Sequence, residues 1–187
     1  MSKSTLRILG IDPGTNFLGY GLIEAEGKHI RVLESGTLTL THLTSSTDKL
    51  SRIFERTRSL IQNHRPGSLA IEAPFYGKNI QSMLKLGRAQ GVSIAAAISE
   101  QIPYTEYAPR RIKQAITGKG GATKDQVAAM LEHILQIRVR GELGEDASDA
   151  LGVAVCHYYQ LSGNVLQTGR NSSWASFIQQ NPKRLLP

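Results

Sequence analysis

Apolar positions along this chain alternate between two periods, and the switches mark its elements. Residues 6–11 (LRILGI) run almost unbroken, and the turn signal Asp12-Pro13-Gly14 follows. Residues 20–25 predict a returning strand, Gly27-Lys28 a second turn and residues 30–40 a third extended stretch, so the first forty residues read as an antiparallel meander. Between residues 45 and 65 the spacing becomes helical: Leu50, Ile53, Phe54, Thr57, Leu60 and Ile61 share one face, with Ser46, Thr47 and Asp48 as possible caps and Pro66 beyond the end. A short apolar strand at 69–71 ends at Glu72. A helix over 79–100, a strand over 103–107 and a short basic helix over 110–117, just after Pro109, come next. Past the glycine-rich GKGGATK, Thr123 and Gln126 have capping-box spacing and open a helix to about Leu135. Residues 138–145 read as a loop, and a last helix spans 146–161. From Ser162 the composition turns polar. Trp174, Phe177 and Ile178 could dock a short helix, but 163–187 is expected to be a poorly ordered tail behind one domain of residues 1–162. The order predicts an α/β fold: a mixed five-stranded sheet with helices on both faces.

Composition narrows the classes. A length of 187 residues fits one domain, and 40% hydrophobic residues make it globular rather than disordered. Lys and Arg number 22 against 15 Asp and Glu, a net charge of +7 that favours polyanionic partners. The single cysteine, Cys156, excludes an internal disulfide and a Cys-based zinc site; its apolar helical setting predicts a buried small hydrophobe. The first residues hold no long apolar stretch, so no secretory signal is expected, and no run is long enough for a membrane span. The expectation is a cytoplasmic protein with no membrane partner.

Against this basic background, four carboxylates stand out by position. Asp12 and Glu72 each end an apolar strand, and Asp146 and Asp149 lie three apart at the start of a helix, where they share a face. Taken singly, each has an ordinary explanation: Asp-Pro-Gly is a common turn, Glu72 can be a solvated acid past a strand, and acids favour the first turn of a helix. Together they are four hard oxygen ligands with no obvious His or Cys partner, a set that suits Mg²⁺ or Mn²⁺ rather than Zn²⁺. Four carboxylates nearly neutralise two divalent ions, the arrangement used to clamp the attacking and leaving oxygens in phosphoryl transfer.

Five stretches carry a resemblance: GIDPGT with GYGLIE, AIEAPFYGKN, KLGRAQGV, EYAPRRIKQAITGKGGATKDQV and DASDALGVAV. In this order and spacing, over roughly residues 7–160, they resemble the RuvC family of Holliday-junction resolvases, which have a ribonuclease-H-like fold. The resemblance implies a homodimeric, Mg²⁺-dependent endonuclease that nicks two opposing strands of a four-way DNA junction in recombination and repair. It implies two Mg²⁺ per active site, with Mn²⁺ as a substitute, held by Asp12, Glu72, Asp146 and Asp149. Some relatives carry His at the position of Asp146. The implied partners are junction DNA, a second copy of the chain, and the RuvA and RuvB junction-binding and branch-migration proteins.

By the same resemblance, Lys113 and Lys124 fall near the scissile phosphate, where a lysine would offset developing negative charge. Phe75 matches an aromatic near the crossover, able to stack on a base or wedge open a pair. Tyr76 is as well explained by packing, and Arg110 and Arg111 are candidate phosphate contacts. Gly87, Gly91 and Ala95 put small residues at four-residue spacing along the 79–100 helix, which in the family lies at the dimer interface. Three other readings compete: an ATPase, because IDPGT resembles the phosphate loop of actin-like and sugar-kinase folds; a non-catalytic junction-binding protein; and a related nuclease acting on RNA. GKGGATK itself is not a P-loop, since Thr123 stands where glycine is required.

Overall fold

The computed structural model describes residues 5–74, 79–139 and 143–163. Three antiparallel strands come first, β1 (Leu6–Asp12), β2 (Phe17–Glu26) and β3 (His29–Thr39). They are followed by α1 (Ser46–His64), β4 (Ser68–Glu72), α2 (Ile80–Ser99), β5 (Tyr104–Tyr107), α3 (Pro109–Thr117), α4 (Lys124–Leu135) and α5 (Glu145–Leu161). The sheet order is β3-β2-β1-β4-β5, with β4 and β5 parallel to β1, so the predicted mixed five-stranded sheet is the observed one.

Element ends differ from the periodicity in instructive ways. β2 starts at Phe17, ahead of its apolar run, because the ladder to β3 continues out to the Phe17–Thr39 pair although Phe17 is exposed. Backbone pairing needs no hydrophobic side chain. The N-cap of α1 is Ser45, whose hydroxyl accepts from the Asp48 N–H at 3.3 Å. α3 starts on Pro109 itself, whose missing N–H costs nothing in a first turn. The Thr123–Gln126 capping box is present as the spacing predicts.

Alternation along the strands divides the interior in two. Leu9, Ile11, Leu22, Leu69 and Ile71 face α1 and α2, meeting Ile53, Leu60 and Ala97. Ile8, Ile23 and Ala70 face the other way, against Ile112, Leu131 and Leu151 of α3, α4 and α5. Gly10 and Asp12 therefore share Ile8's face, and Glu72 shares Ala70's: both strand-end acids point toward α5.

What lets α5 come close enough to meet them is glycine. A Cβ on Gly10 would lie 2.1 Å from the Ala150 carbonyl oxygen, and one on Gly19 would lie 2.0 Å from that of Asp146. Gly19 is the cross-strand partner of Asp12, so the bare position that admits the start of α5 lies beside the first acid. α5 itself is buried along nearly its whole length, from Ala147 to Tyr158. Cys156 is buried there and unpaired, as expected.

His157 on the same helix lies in a buried polar relay: Nδ1 is 2.8 Å from the Tyr107 hydroxyl and Nε2 is 3.0 Å from the Ser68 hydroxyl. Burial holds the imidazole below its usual value of 6.5. A depressed histidine stabilises the fold above its unfolded pKa, and that contribution is lost as pH falls through the folded value. His157→Gln should therefore cost about 1–3 kcal/mol at pH 7.5 by leaving buried hydroxyls poorly paired. The gap in Tm between variant and wild type should narrow by pH 5, and a constant gap in thermal melts across that range would remove the titration from the explanation.

Candidate active site

β1 and β4 are adjacent and parallel, in register at Ile11–Ile71. Asp12 and Glu72 are each the next residue, so they sit side by side at the carboxyl ends of neighbouring strands, about 4.8 Å apart at the backbone by ordinary strand spacing. The first turn of α5 closes over them and brings Asp146 and Asp149. Asp125 and Glu145 add further acid in the first turns of α4 and α5.

All five helices of the described residues begin at this end of the sheet. α3 follows directly from the end of β5, and Pro109 in its first turn lines a cleft with Glu72. α4 opens on Lys124, whose Nζ lies 3.2 Å from Asp149 Oδ2 and 3.3 Å from Glu145 Oε2. The starts of α1 and α2 meet the loop after Asp12 on the opposite face, where Ser46, Ser82 and Thr15 line a common cleft. Helix N-termini carry partial positive charge, so the fold converges positive dipoles on the edge that holds its acids.

The acids interact strongly. Burial, then the charges of Glu72, Asp149 and Asp146, push Asp12 up to about 8, with Lys124 opposing. Burial and Asp149 push Glu72 up to about 7, against Lys124 and Lys113. Asp146 is raised by burial and by Asp149, while Lys124 is raised chiefly by Asp149. Such a cluster lacks positive charge, and no hydrogen bond among the described residues relieves Asp12 or Glu72. The donors are all oxygens, which fits a hard divalent cation. Among the described residues, no three His, Cys, Asp or Glu are grouped closely enough to hold one ion as they stand. Like charges repel in the absence of a cation, and Lys124 engages Asp149.

Glu72, Lys113, Lys124 and Asp149 line one cleft of about 200 Å³, walled by Pro109, Ile112, Val127 and Gly152. The cleft thus holds Glu72, Asp149 and both lysines, and Asp12 and Asp146 lie near enough to interact with them by charge. Arg110 is exposed at the start of α3, its side chain lying over Gly120. Arg111 points elsewhere: its guanidinium donates to Gln160 Oε1 at 2.9 Å, eleven residues along α5 from Asp149 and so roughly 16 Å away along the helix axis. It stands a full helix face from Lys113, and the structure does not bring it to the acids. Phe75 and Tyr76 lie outside the described residues. Sequence reasoning passes over Glu145, which engages Lys124; its only signal is one more acid in a helical first turn, which the helix dipole already explains.

The architecture is ribonuclease-H-like, with a meander sheet extended by parallel strands and acids at the ends of two of them. The sequence matches the family described as "Crossover junction endodeoxyribonuclease RuvC" over residues 8–157. It is 54% identical over 178 residues to the protein of that name from Cytophaga hutchinsonii, covering 95% of this chain and 87% of that one. It is 48% identical over 188 residues to the one from Porphyromonas gingivalis, covering 99% and 100%. Thermus thermophilus RuvC, solved in complex with Holliday junction substrate, superposes with a TM-score of 0.80 at 28% identity, covering 86% of this chain and 97% of that one. This chain belongs to the RuvC family of crossover junction endodeoxyribonucleases. Membership sets aside the ATPase, non-catalytic and RNA-directed readings. No helix among the described residues is long and apolar enough to cross a membrane.

Proposed function

We propose that this protein resolves four-way DNA junctions by paired, symmetric phosphodiester hydrolysis, with Asp12, Glu72, Asp146 and Asp149 as its catalytic, metal-binding acids. The observation that carries the reading is the juxtaposition of Asp12 and Glu72 on adjacent strand ends beneath Asp146 and Asp149, with both raised well above ordinary carboxylates. Two Mg²⁺ ions, replaceable by Mn²⁺, would supply Lewis-acid charge to the attacking and leaving oxygens of the phosphate. The four carboxylates would hold that charge in place, and a cation there would relieve the burial and mutual repulsion that raise Asp12, Glu72 and Asp146. Lys124, released from Asp149, and Lys113 across the cleft place two ammonium groups where negative charge grows on the phosphate. The helix starts around the cleft favour the same anion. Phe75 and Tyr76, just past Glu72 in sequence, and Arg110 complete the proposed DNA contacts. Arg111 serves better as a tie between α3 and α5.

A four-way junction has two strands to cut, which calls for two equivalent sites and hence a two-fold dimer. α2 supplies a suitable face: Ile80, Leu84 and Ile98 are 69%, 52% and 60% exposed and fall on one stripe with Gly87, Gly91 and Ala95. A Cβ at Gly87 or Gly91 would meet nothing within 4 Å in the single chain. Gly91→Leu should therefore leave the monomer folded but block close approach of a second α2. Sedimentation should show monomer where the wild type is a dimer; an unchanged dimer would move the interface elsewhere. RuvA and RuvB are the proposed partners that deliver the junction, and residues 163–187 the proposed tail outside the nuclease domain.

The test of the function is cleavage of a synthetic four-way junction beside a linear duplex of the same sequence, with and without Mg²⁺. Symmetric nicks in the junction alone, requiring Mg²⁺, are expected. Equal cleavage of the duplex would overturn the reading.

A further inference from the structure

On the other face of the sheet, at the same end, the fold builds a second cleft that the acids do not use. It measures about 460 Å³ and is lined by Lys49, Lys85 and Arg88, with Thr15, Asn16, Thr44, Ser46 and Ser82 supplying hydroxyls and an amide; no Asp or Glu lines it. The remaining walls are Leu50 and Leu86, from α1 and α2. Lys49 is half-buried, and its Nζ donates to Asn16 Oδ1 at 3.1 Å, which fixes the ammonium at the cleft rather than leaving it free in solvent. Lys85 and Arg88 are exposed on α2, between its buried face and its apolar stripe. Ser46 in the first turn of α1 and Ser82 in that of α2 bring the positive ends of two helices to the same space. A cleft rich in cations and hydroxyls and without acids is built for phosphate oxygens.

Its position says which phosphates. Thr15 lines this cleft and lies three residues beyond Asp12, so about 10 Å of chain at most separates the two. At a rise of roughly 3.4 Å per nucleotide, that distance is a few nucleotides of one strand. We infer that the Lys49–Lys85–Arg88 cleft is a second DNA-backbone site, which seats the phosphates a few nucleotides from the cut while the acids hold the scissile one. The inference rests on the junction-cleaving reading and deepens it: the sheet end becomes a saddle, with the chemistry on the α5 side and anchorage on the α1/α2 side. Lys49, Lys85 and Arg88 are positioning residues here, acting on where the strand lies.

The test is the salt dependence of junction binding. Each lost phosphate contact removes about 0.9 from the slope of log K against log salt. Lys85→Ala/Arg88→Ala should therefore flatten the slope by about 2 and weaken binding of a four-way junction about tenfold at moderate salt. Lys49→Met should flatten it by about 1. A charge-matched control, Lys28→Ala/Arg31→Ala in and beside the β2–β3 turn at the far end of the sheet, should leave the slope close to wild type. Thermal melts of each variant confirm the fold, and all the exchanged side chains but Lys49 are exposed. An unchanged slope in the double variant, or equal flattening in the control, overturns the inference. Wild-type protein in the same assays, with Mg²⁺ added to read cleavage, keeps the two claims apart. If it neither binds nor cuts the junction, the function has failed; if it does both and the double variant binds with the same slope, only the cleft has.

Discussion

Asp12→Asn should make the metal-free protein more stable and the enzyme inactive. In the fold Asp12 ionises near 8, against 3.8 for an unperturbed carboxyl. A carboxyl raised by folding contributes its stability below the unfolded pKa and loses it as pH rises through the folded one. Wild-type protein without divalent ions should therefore weaken between about pH 4 and pH 8–9 on account of this group. The amide carries no charge to bury, so the variant escapes that loss. At pH 9 its advantage should reach a few kcal/mol, or about 6–10 °C in Tm, and it should vanish near pH 4. Cleavage should fall by at least about a hundredfold, because the amide neither neutralises nor orients a cation as the carboxylate does. Thermal melts at pH 4 and pH 9, with chelator, read the first effect, and junction nicking reads the second. A variant no more stable than wild type at pH 9 would mean that Asp12 is not a buried, repelled charge in the fold.

Gly19→Ala should have the opposite character. The added methyl would sit 2.0 Å from the Asp146 carbonyl oxygen, a backbone atom that can move only if the start of α5 moves with it. Overpacking of this kind costs about 1–3 kcal/mol, and more where the obstacle is backbone. The displacement falls on the turn that carries Asp146 and Asp149, so cleavage should drop even at temperatures where the variant is fully folded. By contrast, Gly87→Ala faces open space and should leave the fold intact. Unfolding midpoints and nicking rates for the two alanine variants separate a glycine needed for close approach from one that is not. Normal stability and normal cleavage in Gly19→Ala would show that α5 does not depend on this contact.

These effects mark what can be read from the residues alone. The strands and helices follow from period and caps, and Asp12 and Glu72 are visible as acids at the ends of apolar runs. Asp146 and Asp149 are visible as a pair on one helical face. What no local pattern carries is register. That Asp12 and Glu72 lie side by side depends on β1 pairing with β4 at Ile11–Ile71, a contact sixty residues apart in sequence. The closeness of α5 depends on Gly10 and Gly19, which in sequence look like ordinary strand glycines. Arg111 shows the reverse limit. Its charge and neighbours resemble those of Lys113, but a step of two residues on a helix turns it toward Gln160 and away from the acids. The cation-lined cleft joins the loop after Asp12 to α1 and α2; Lys85 and Arg88 belong to the KLGRAQGV stretch, but only the fold brings them beside Lys49 and Thr15.

Calorimetric titration of Mn²⁺ into the purified protein at neutral pH tests the central assignment most directly. Wild type should take up divalent ions saturably, approaching two per chain, and Asp12→Asn/Asp149→Asn should lose that uptake while remaining folded. Identical Mn²⁺ binding by both proteins, or none by the wild type with junction DNA present, would contradict the assignment of these carboxylates as the seat of the metal.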